Sequence, residues 1–309
     1  MTEDEMDKAA TFAASRGKLM ALAYRMLGSR AEAEDVVQDA WLKWHLADAS
    51  DIRAPAGWLT TITTRLAIDR LRHLQMERLS RAAGWLPEPW LDGIVPSAEE
   101  MALRASEMSY GLLLMLERLT PDERAAFVLH EALDCDYADI AQIIGKSVAN
   151  CRQIVHRAKT RLQREGGEPK PAVDPSAHAQ VVERLRAAIE AQDRAQLMRL
   201  FSEEAVVLSD AEEEANAGEA IASARWVDQL TSSTRNAAPV TINGMAGVAL
   251  MAEGEVTGLL DVAAACDGRI ARLCVVSSAV NLRAANAAWG SRAVTRLLER
   301  IGRAEPVMC

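Results

Sequence analysis

The sequence predicts two all-α units, the second containing a helix-turn-helix, followed by one α+β unit. Apolar residues recur at helical spacing through the first half of the chain, which has no hairpin signal. A glycine, Gly145, separates two short helical patterns. Strand-like runs flank Asp267-Gly268 in the last third, and helices followed by strands indicate an α+β fold.

The first unit is expected over residues 7–80. Leu19, Leu22, Ala23 and Met26 have the spacing of one helix face. Gly28-Ser29 ends that pattern, Ser50-Asp51 ends the next one, and Pro55 is suited to the first turn of another helix. Three helices around one core follow from these breaks.

A linker over residues 81–97 precedes the second unit, because Pro87 and Pro89 interrupt any helix. The second unit, 98–166, contains two capping boxes, Ser97 with Glu100 and Thr120 with Glu123. Glycine and proline in 166–171 indicate a flexible connection to the third unit, 172–309.

The third unit begins with a helix from Pro175 towards Gln192 and continues with strands. The runs 240–250, 256–266 and 269–276 are rich in apolar and β-branched residues. Asp267-Gly268 predicts a two-residue hairpin turn between the last two runs.

Composition restricts the function classes. The 309 residues are 50% hydrophobic and 26% charged, with a net charge of −9, yet every charge from Lys146 to Arg164 is basic. An acidic N-terminus without an apolar core, and no run of about 18 apolar residues, favour a cytoplasmic protein. The five cysteines are scattered, so we expect no disulfide framework, metal or cofactor.

The helix-turn-helix is the sharpest local signal. Gly145 can adopt the left-handed conformation of a tight turn, and Ser147 can cap the helix that follows. Cys151, Val155, Ala158 and Leu162 form its inward face. The candidate DNA contacts are Ser147, Asn150, Arg152, Gln153, His156 and Arg157, whose side chains can reach base edges or phosphates. A solvated basic helix is the alternative.

Two further motifs add a family resemblance. The segments 23–30 and 33–41 together resemble region two of sigma factors, which docks on the β′ clamp of core RNA polymerase. The resemblance implies that Asp35, Gln38, Asp39 and Trp41 face the polymerase. A solvated acidic helix face would be the default without it.

The segments 55–62 and 65–72 resemble the part of region two that melts and reads the promoter element nearest the start site. The implied DNA contacts are Trp58, Arg65, Arg70 and Arg72, and single-stranded DNA does require aromatic platforms with nearby cations. Trp58 in the core and solvated arginines are the alternatives.

The linker is similar to that of extracytoplasmic-function sigma factors with a SnoaL-like C-terminal extension, a small cone of helices on a curved sheet. The implied regulatory residues are Trp85, Leu86, Pro87, Glu88, Pro89 and Asp210. The usual Asp-Gly-Gly-Gly-Lys segment is replaced here by residues 210–214, an acidic run. We expect a solvated charge run there, with contact to basic faces near Arg157 or Arg70 as the alternative. Val280-Asn281-Leu282 matches the family's Asn-Pro tail only weakly.

The sequence therefore predicts an alternative, non-enzymatic sigma factor that binds core RNA polymerase, through its β′ clamp and β flap, and promoter DNA. A helix-turn-helix regulator whose cone senses a ligand is the first alternative, and a small-molecule ligand in the cone stays open. An enzyme is the second alternative, but the third unit has only His178, with Asp261 and Trp226 as further pocket candidates, and no clear acid-base pair.

Overall fold

The structure is a computed structural model that describes residues 3–48, 52–79, 85–91, 109–165, 174–210, 230, 236–287 and 289–290. The chain divides into two compact units. The first comprises Met1–Ala82 and Pro96–Lys170, and the second comprises Ala83–Val95 and Pro171–Cys309. The linker segment 83–95 is therefore part of the second unit.

Three long helices open the first unit: α1 (Glu3–Leu27), α2 (Arg30–Leu46) and α3 (Pro55–Leu79). Gly28 has a φ of 66° and Ser29 caps α2, so the chain turns where the sequence indicated. The predicted apolar face of α1 is buried, with Leu22, Ala23 and Met26 at 0% exposure. Trp44 closes the core from α2 and donates its Nε1–H to the carbonyl of Lys8 at 3.0 Å.

The first unit continues with α4 (Tyr110–Leu116), α5 (Pro121–Leu133), α6 (Tyr137–Ile144) and α7 (Val148–Glu165). The capping box at α5 is confirmed, because Glu123 N–H donates to Thr120 Oγ1 at 3.4 Å and Thr120 N–H donates to Glu123 Oε2 at 3.1 Å. The other predicted box, Ser97 with Glu100, lies outside the described residues.

In the described part of the second unit, helices pack on a five-stranded sheet, and a further helical segment over 279–287 follows the last strand. The elements are α8 (Pro175–Glu190), α9 (Arg194–Leu200), β1 (Phe201–Ser209), β2 (Asn236–Ile242), β3 (Met245–Ala252), β4 (Glu255–Ala264) and β5 (Ile270–Val276). The sheet order is β1-β5-β4-β3-β2, with β1 parallel to β5 and every other pair antiparallel. Val181 and Leu185 of α8 bury against Val248, Leu260 and Leu273 of the sheet.

The prediction of one strand over 240–250 is wrong. The chain reverses at Asn243 and Gly244, whose φ values are 49° and 81°, and the two halves pair as β2 and β3. Positive φ at both central residues defines the turn that Asn-Gly favours in hairpins. The continuous apolar run hid this turn in the sequence.

The turn at Asp267-Gly268 is placed correctly but its length is wrong. Ala265 N–H donates to the carbonyl of Arg269 at 2.7 Å, and Gly268 N–H donates to that of Ala265 at 3.0 Å. Three residues therefore lie between the pairing positions, with Gly268 at a φ of 73°. This is a three-residue hairpin loop with a glycine bulge.

Within the described part of the chain, none of the helices is both long and apolar enough to span a bilayer. The same residues contain no group of three or more histidine, cysteine, aspartate or glutamate side chains arranged to hold a metal ion.

Candidate nucleic-acid interface

The helix-turn-helix is built as its sequence indicated. Gly145 ends α6 with a φ of 70° and a ψ of 37°, and Ser147 Oγ accepts the N–H of Asn150 at 3.2 Å to cap α7. The predicted inward face is confirmed, since Cys151, Val155, Ala158 and Leu162 are all buried. Local backbone chemistry and one apolar stripe therefore orient α7.

The opposite face of α7 is open to solvent. Ser147, Arg152, Gln153, His156 and Arg157 are exposed, and Asn150 is half-buried. Arg152 lies over the ring of Tyr137, with its Cζ 5.5 Å from the ring centroid. Among described residues, the side chains of Gln153, His156 and Arg157 have no hydrogen-bond or ion-pair partner. These three side chains can bind an external anion or base edge without first breaking an internal contact.

We expect Gly145→Ala to lower the free energy of unfolding by roughly 1 kcal/mol, because an added Cβ disfavours the left-handed conformation. The Cβ itself would meet no atom within 4 Å, so the effect isolates the backbone. Urea unfolding followed by helical circular dichroism measures it. Gly57→Ala is the control, since Gly57 lies in α3 at an ordinary φ with its nearest neighbour at 3.9 Å. Equal effects of the two substitutions would contradict the prediction.

The three predicted DNA-binding arginines of α3 differ from those of α7, because each is engaged within the chain. Arg65 donates from Nε to the carbonyl of Ile143 at 3.0 Å and from Nη2 to that of Gln142 at 2.9 Å. Arg70 Nη2 bonds Glu32 Oε1 at 2.7 Å, and this hydrogen bond raises the pKa of Arg70.

Arg72 has two acidic partners, Asp69 at 3.1 Å and Asp122 at 2.9 Å. Trp58 is half-buried and packs on Trp44, with ring centroids 5.6 Å apart. This contact gives Trp58 a structural role. The DNA contact of Trp58 stays a prediction, as do the DNA contacts of Arg65, Arg70 and Arg72.

The acidic face of α2 is exposed at Asp35, Gln38 and Asp39, while Val36, Val37 and Ala40 face the core. Trp41 is half-buried against Phe12, with ring centroids 4.9 Å apart. An open cavity of about 610 Å³ lies between α2 and α3, lined by Asp35, Val36, Gln38, Asp39, Leu66, Asp69, Arg70 and His73. This surface also has an apolar part, since Leu42 is 50% and Leu46 is 83% exposed. The sequence analysis did not predict that these two leucines would be exposed. Acidic and apolar side chains together form a surface suited to a protein partner.

The linker packs on the second unit. Leu86, Pro87, Glu88, Pro89 and Trp90 are buried, and Trp85 is half-buried. Trp90 N–H donates to Asn243 Oδ1 at 3.0 Å, Asn243 N–H donates to Trp90 O at 2.8 Å, and Leu91 forms a β-bridge with Ile242. The β2–β3 turn therefore holds one end of the linker.

Asp210 connects the other end of the linker to the C-terminal segment. Its carboxylate, 5% exposed, accepts Ser277 N–H at 2.7 Å, Ser278 N–H at 3.1 Å, Ser278 Oγ–H at 2.6 Å and Asn281 Nδ2–H at 2.8 Å. Asn281 Nδ2 also reaches the carbonyl of Leu86 at 3.3 Å. The expectation of a solvated charge run is therefore wrong at Asp210, which is buried. The hydrogen bonds from these donors compensate for the water that its carboxylate loses. Residues 211–214 lie outside the described residues.

The enzyme candidates of the second unit are buried. His178 Nε2 lies 3.0 Å from the carbonyl of Ala246, and Asp261 is 7% exposed. Burial raises the pKa of Asp261 to about 6, although the charges of Arg272 and His178 oppose this shift. Trp226 lies outside the described residues. Among the described residues, Asp261 is buried together with Cys274, its partner across β4 and β5, and feels the charge of His178.

Comparison with known proteins identifies the class. Residues 11–76 match sigma-70 region 2, and residues 111–162 match sigma-70 region 4. The first unit therefore carries both sigma-70 regions in their usual order, and the helix-turn-helix lies in region 4.

The relatives are sigma factors, several of them of the extracytoplasmic-function (ECF) group. The chain is 40% identical over 187 residues to ECF RNA polymerase sigma factor SigJ of Mycobacterium tuberculosis, a match covering 59% of this chain and 58% of that protein. It is 32% identical over 138 residues to the ferric citrate uptake sigma factor FecI of Escherichia coli, covering 43% and 76%. These matches confirm the family resemblance of the two sigma regions.

The crystal structure of Mycobacterium tuberculosis SigJ is similar with a TM-score of 0.66 and 27% identity, over 88% of this chain and 97% of that one. The predicted fold class, two helical sigma domains followed by an α+β domain, is confirmed.

Proposed function

We propose that this chain is an alternative sigma factor that binds core RNA polymerase and directs it to promoters. The observation that carries the proposal is the pair of sigma-70 regions in order, the second with an exposed basic face on α7. Because core RNA polymerase is cytoplasmic, the proposal implies a cytoplasmic location.

In this proposal the exposed face of α2 binds the β′ clamp through Asp35, Gln38, Asp39 and Trp41. Region 4 binds the β flap and presents α7 to the upstream promoter element, while α3 opens the element nearest the start site. The boundaries 7–80, 81–97, 98–166 and 172–309 remain our proposed division. The second unit acts as a built-in regulator, since its hydrogen bonds hold the segment that connects the two sigma regions.

The test is run-off transcription from a library of genomic promoter fragments with core RNA polymerase and the full chain. Start-specific transcripts that appear only when the chain is added support the proposal. Binding to duplex DNA without any polymerase-dependent initiation would contradict it and favour a ligand-sensing regulator.

We expect Arg157→Ala to weaken promoter binding roughly tenfold, because a guanidinium on a recognition helix contributes about 1–3 kcal/mol at a base edge. Run-off titrations at fixed salt measure the effect. Arg164→Ala is the matched control, because it removes the same charge from an exposed position near the end of the same helix. If both variants weaken binding equally, α7 contributes only general electrostatic attraction.

A further inference from the structure

One arginine of the recognition helix α7 is held in place by the helix before it. Arg152, in the second turn of α7, lies over the ring of Tyr137, the first residue of α6, with its Cζ 5.5 Å from the ring centroid. On the same face, Gln153, His156 and Arg157 have no hydrogen-bond or ion-pair partner among the described residues. Arg152 is therefore restricted before DNA binds, whereas these three side chains must be ordered on binding.

The ring of Tyr137 is itself held from α5. Its hydroxyl oxygen lies 3.2 Å from Nε2 of His130, and the two ring centroids are 4.6 Å apart. His130 Nδ1 lies 3.3 Å from the carbonyl oxygen of Cys135. Because a carbonyl only accepts, Nδ1 of the neutral imidazole carries the proton, and Nε2 accepts the O–H of Tyr137. We call His130, Tyr137 and the Cys135 carbonyl the platform.

The backbone between α5 and α6 fixes the parts of the platform. Cys135 N–H donates to the carbonyl of Leu129 at 3.0 Å, which places the Cys135 carbonyl beside the end of α5. Asp136 caps α6, and its Oδ1 accepts two N–H groups of the first turn at 2.8 Å each. Tyr137 follows this cap directly, so a well-bonded helix start orients its side chain.

The contact with Tyr137 leaves the recognition chemistry of Arg152 free. A cation–π contact uses the face of the guanidinium, whereas its N–H donors point outward in the plane. Arg152 is exposed, and the part of the chain that the structure describes offers it no hydrogen-bond or ion-pair partner. An arginine fork can bond O6 and N7 of guanine at once, and residues near the start of a recognition helix are those that contact base edges.

We propose that Tyr137 is a positioning residue: held by His130, it fixes the guanidinium of Arg152 so that Arg152 reads a guanine of the upstream promoter element. This inference rests on the proposed function and deepens it, because it names the base that one side chain reads. A side chain that is restricted before binding loses less conformational freedom when it bonds a base. A wrong base leaves the fixed donors without acceptors, so the platform increases discrimination as well as affinity.

The base preference at each promoter position tests the platform. Core RNA polymerase with the full chain binds promoters found by run-off, randomised in the upstream element, and the bound DNA is sequenced. We expect a roughly tenfold preference for guanine at one position, which Arg152→Ala abolishes. Tyr137→Leu should reduce the same preference about two- to fivefold, as the loss of an exposed cation–π contact would, and leave the other positions unchanged.

Further variants separate positioning from folding. Tyr137→Phe keeps the ring and loses only the hydroxyl, so it should lose less guanine preference than Tyr137→Leu. Adding Tyr137→Leu to Arg152→Ala should change the base preferences no further, because the platform acts through Arg152. Arg164→Ala, an exposed position near the end of α7, is the charge control and should change no base preference. If Tyr137→Leu weakens binding to all sequences alike, or keeps the full guanine preference, the proposal is overturned.

The side-chain mobility of Arg152 provides a readout that needs no DNA. In the full chain, ¹⁵N relaxation of the arginine Nε–H group should report a more mobile Arg152 in Tyr137→Leu than in the unsubstituted protein, and equal mobility would overturn the platform. Selection on duplex DNA with the full chain alone then separates the two proposals. A Tyr137-dependent guanine preference without polymerase-dependent initiation would support the platform and overturn the proposed function. Initiation with unchanged mobility and unchanged guanine preference in Tyr137→Leu would overturn the platform alone.

Discussion

Asp210→Ala is expected to lower the free energy of unfolding of the second unit by on the order of 3 to 5 kcal/mol, since several donors lose a buried carboxylate that they share as an acceptor. Four donors, two of them backbone N–H groups, converge on this carboxylate at 2.6 to 3.1 Å. The substitution removes this acceptor from all four donors, of which Asn281 Nδ2–H keeps a second acceptor in the carbonyl of Leu86. Asp210→Asn should cost less, because one oxygen remains.

Asp210→Ala should also loosen the linker, because Asn281 bonds both Asp210 and the carbonyl of Leu86. We expect residues 85–91 to exchange their amide hydrogens faster in Asp210→Ala. Mass spectrometry of deuterium uptake measures the exchange, and urea unfolding measures the stability. A released linker should also change transcription by the full chain if the second unit regulates through it.

Glu204→Ala is the control for Asp210→Ala. Glu204 is an exposed carboxylate on β1, the strand that leads to Asp210, and an exposed substitution should stay within about 0.5 kcal/mol. The account of Asp210 is wrong if its alanine variant matches Glu204→Ala in stability and in the exchange of 85–91.

Asp261→Asn is expected to stabilise the second unit at pH 7 by about 2 to 3 kcal/mol. Burial raises the pKa of this carboxyl to about 6, against about 3.9 in an unfolded chain. The folded state therefore retains a proton that the unfolded state has lost between about pH 4 and 6. Stability falls as the pH rises through that window, because the ionised form is the costly one in the fold. Asparagine is neutral at every pH and avoids the loss.

The pH dependence separates this effect from simple repacking. The advantage of Asp261→Asn should vanish near pH 4 and be complete above pH 7, in thermal or urea unfolding at several pH values. Glu255→Gln, at an exposed position of the same strand, should show no such dependence. A variant that is less stable than the unsubstituted protein at pH 7, or a difference constant with pH, would refute the prediction.

Local signals in the sequence were sufficient for the helix-turn-helix. Gly145, Ser147 and the stripe that includes Cys151 and Val155 each act within a few residues of their own position, through backbone conformation, capping and helical periodicity. The capping box of Thr120 with Glu123 was predictable for the same reason. The β2–β3 turn was also encoded locally, in Asn243-Gly244, but the apolar residues on both sides suggested one strand.

The sequence by itself determined the order of the units, the fold class and the face of α7 that meets solvent, because short-range conformational preferences and apolar periodicity decide them. Only the tertiary structure decided that Arg65 and Arg72 are occupied and that Asp210 is buried. Their partners lie 77, 50 and 67 residues away along the chain. A charged side chain looks solvated in a sequence until the fold brings a donor or acceptor to it, and burial together with hydrogen-bond satisfaction then decides its role.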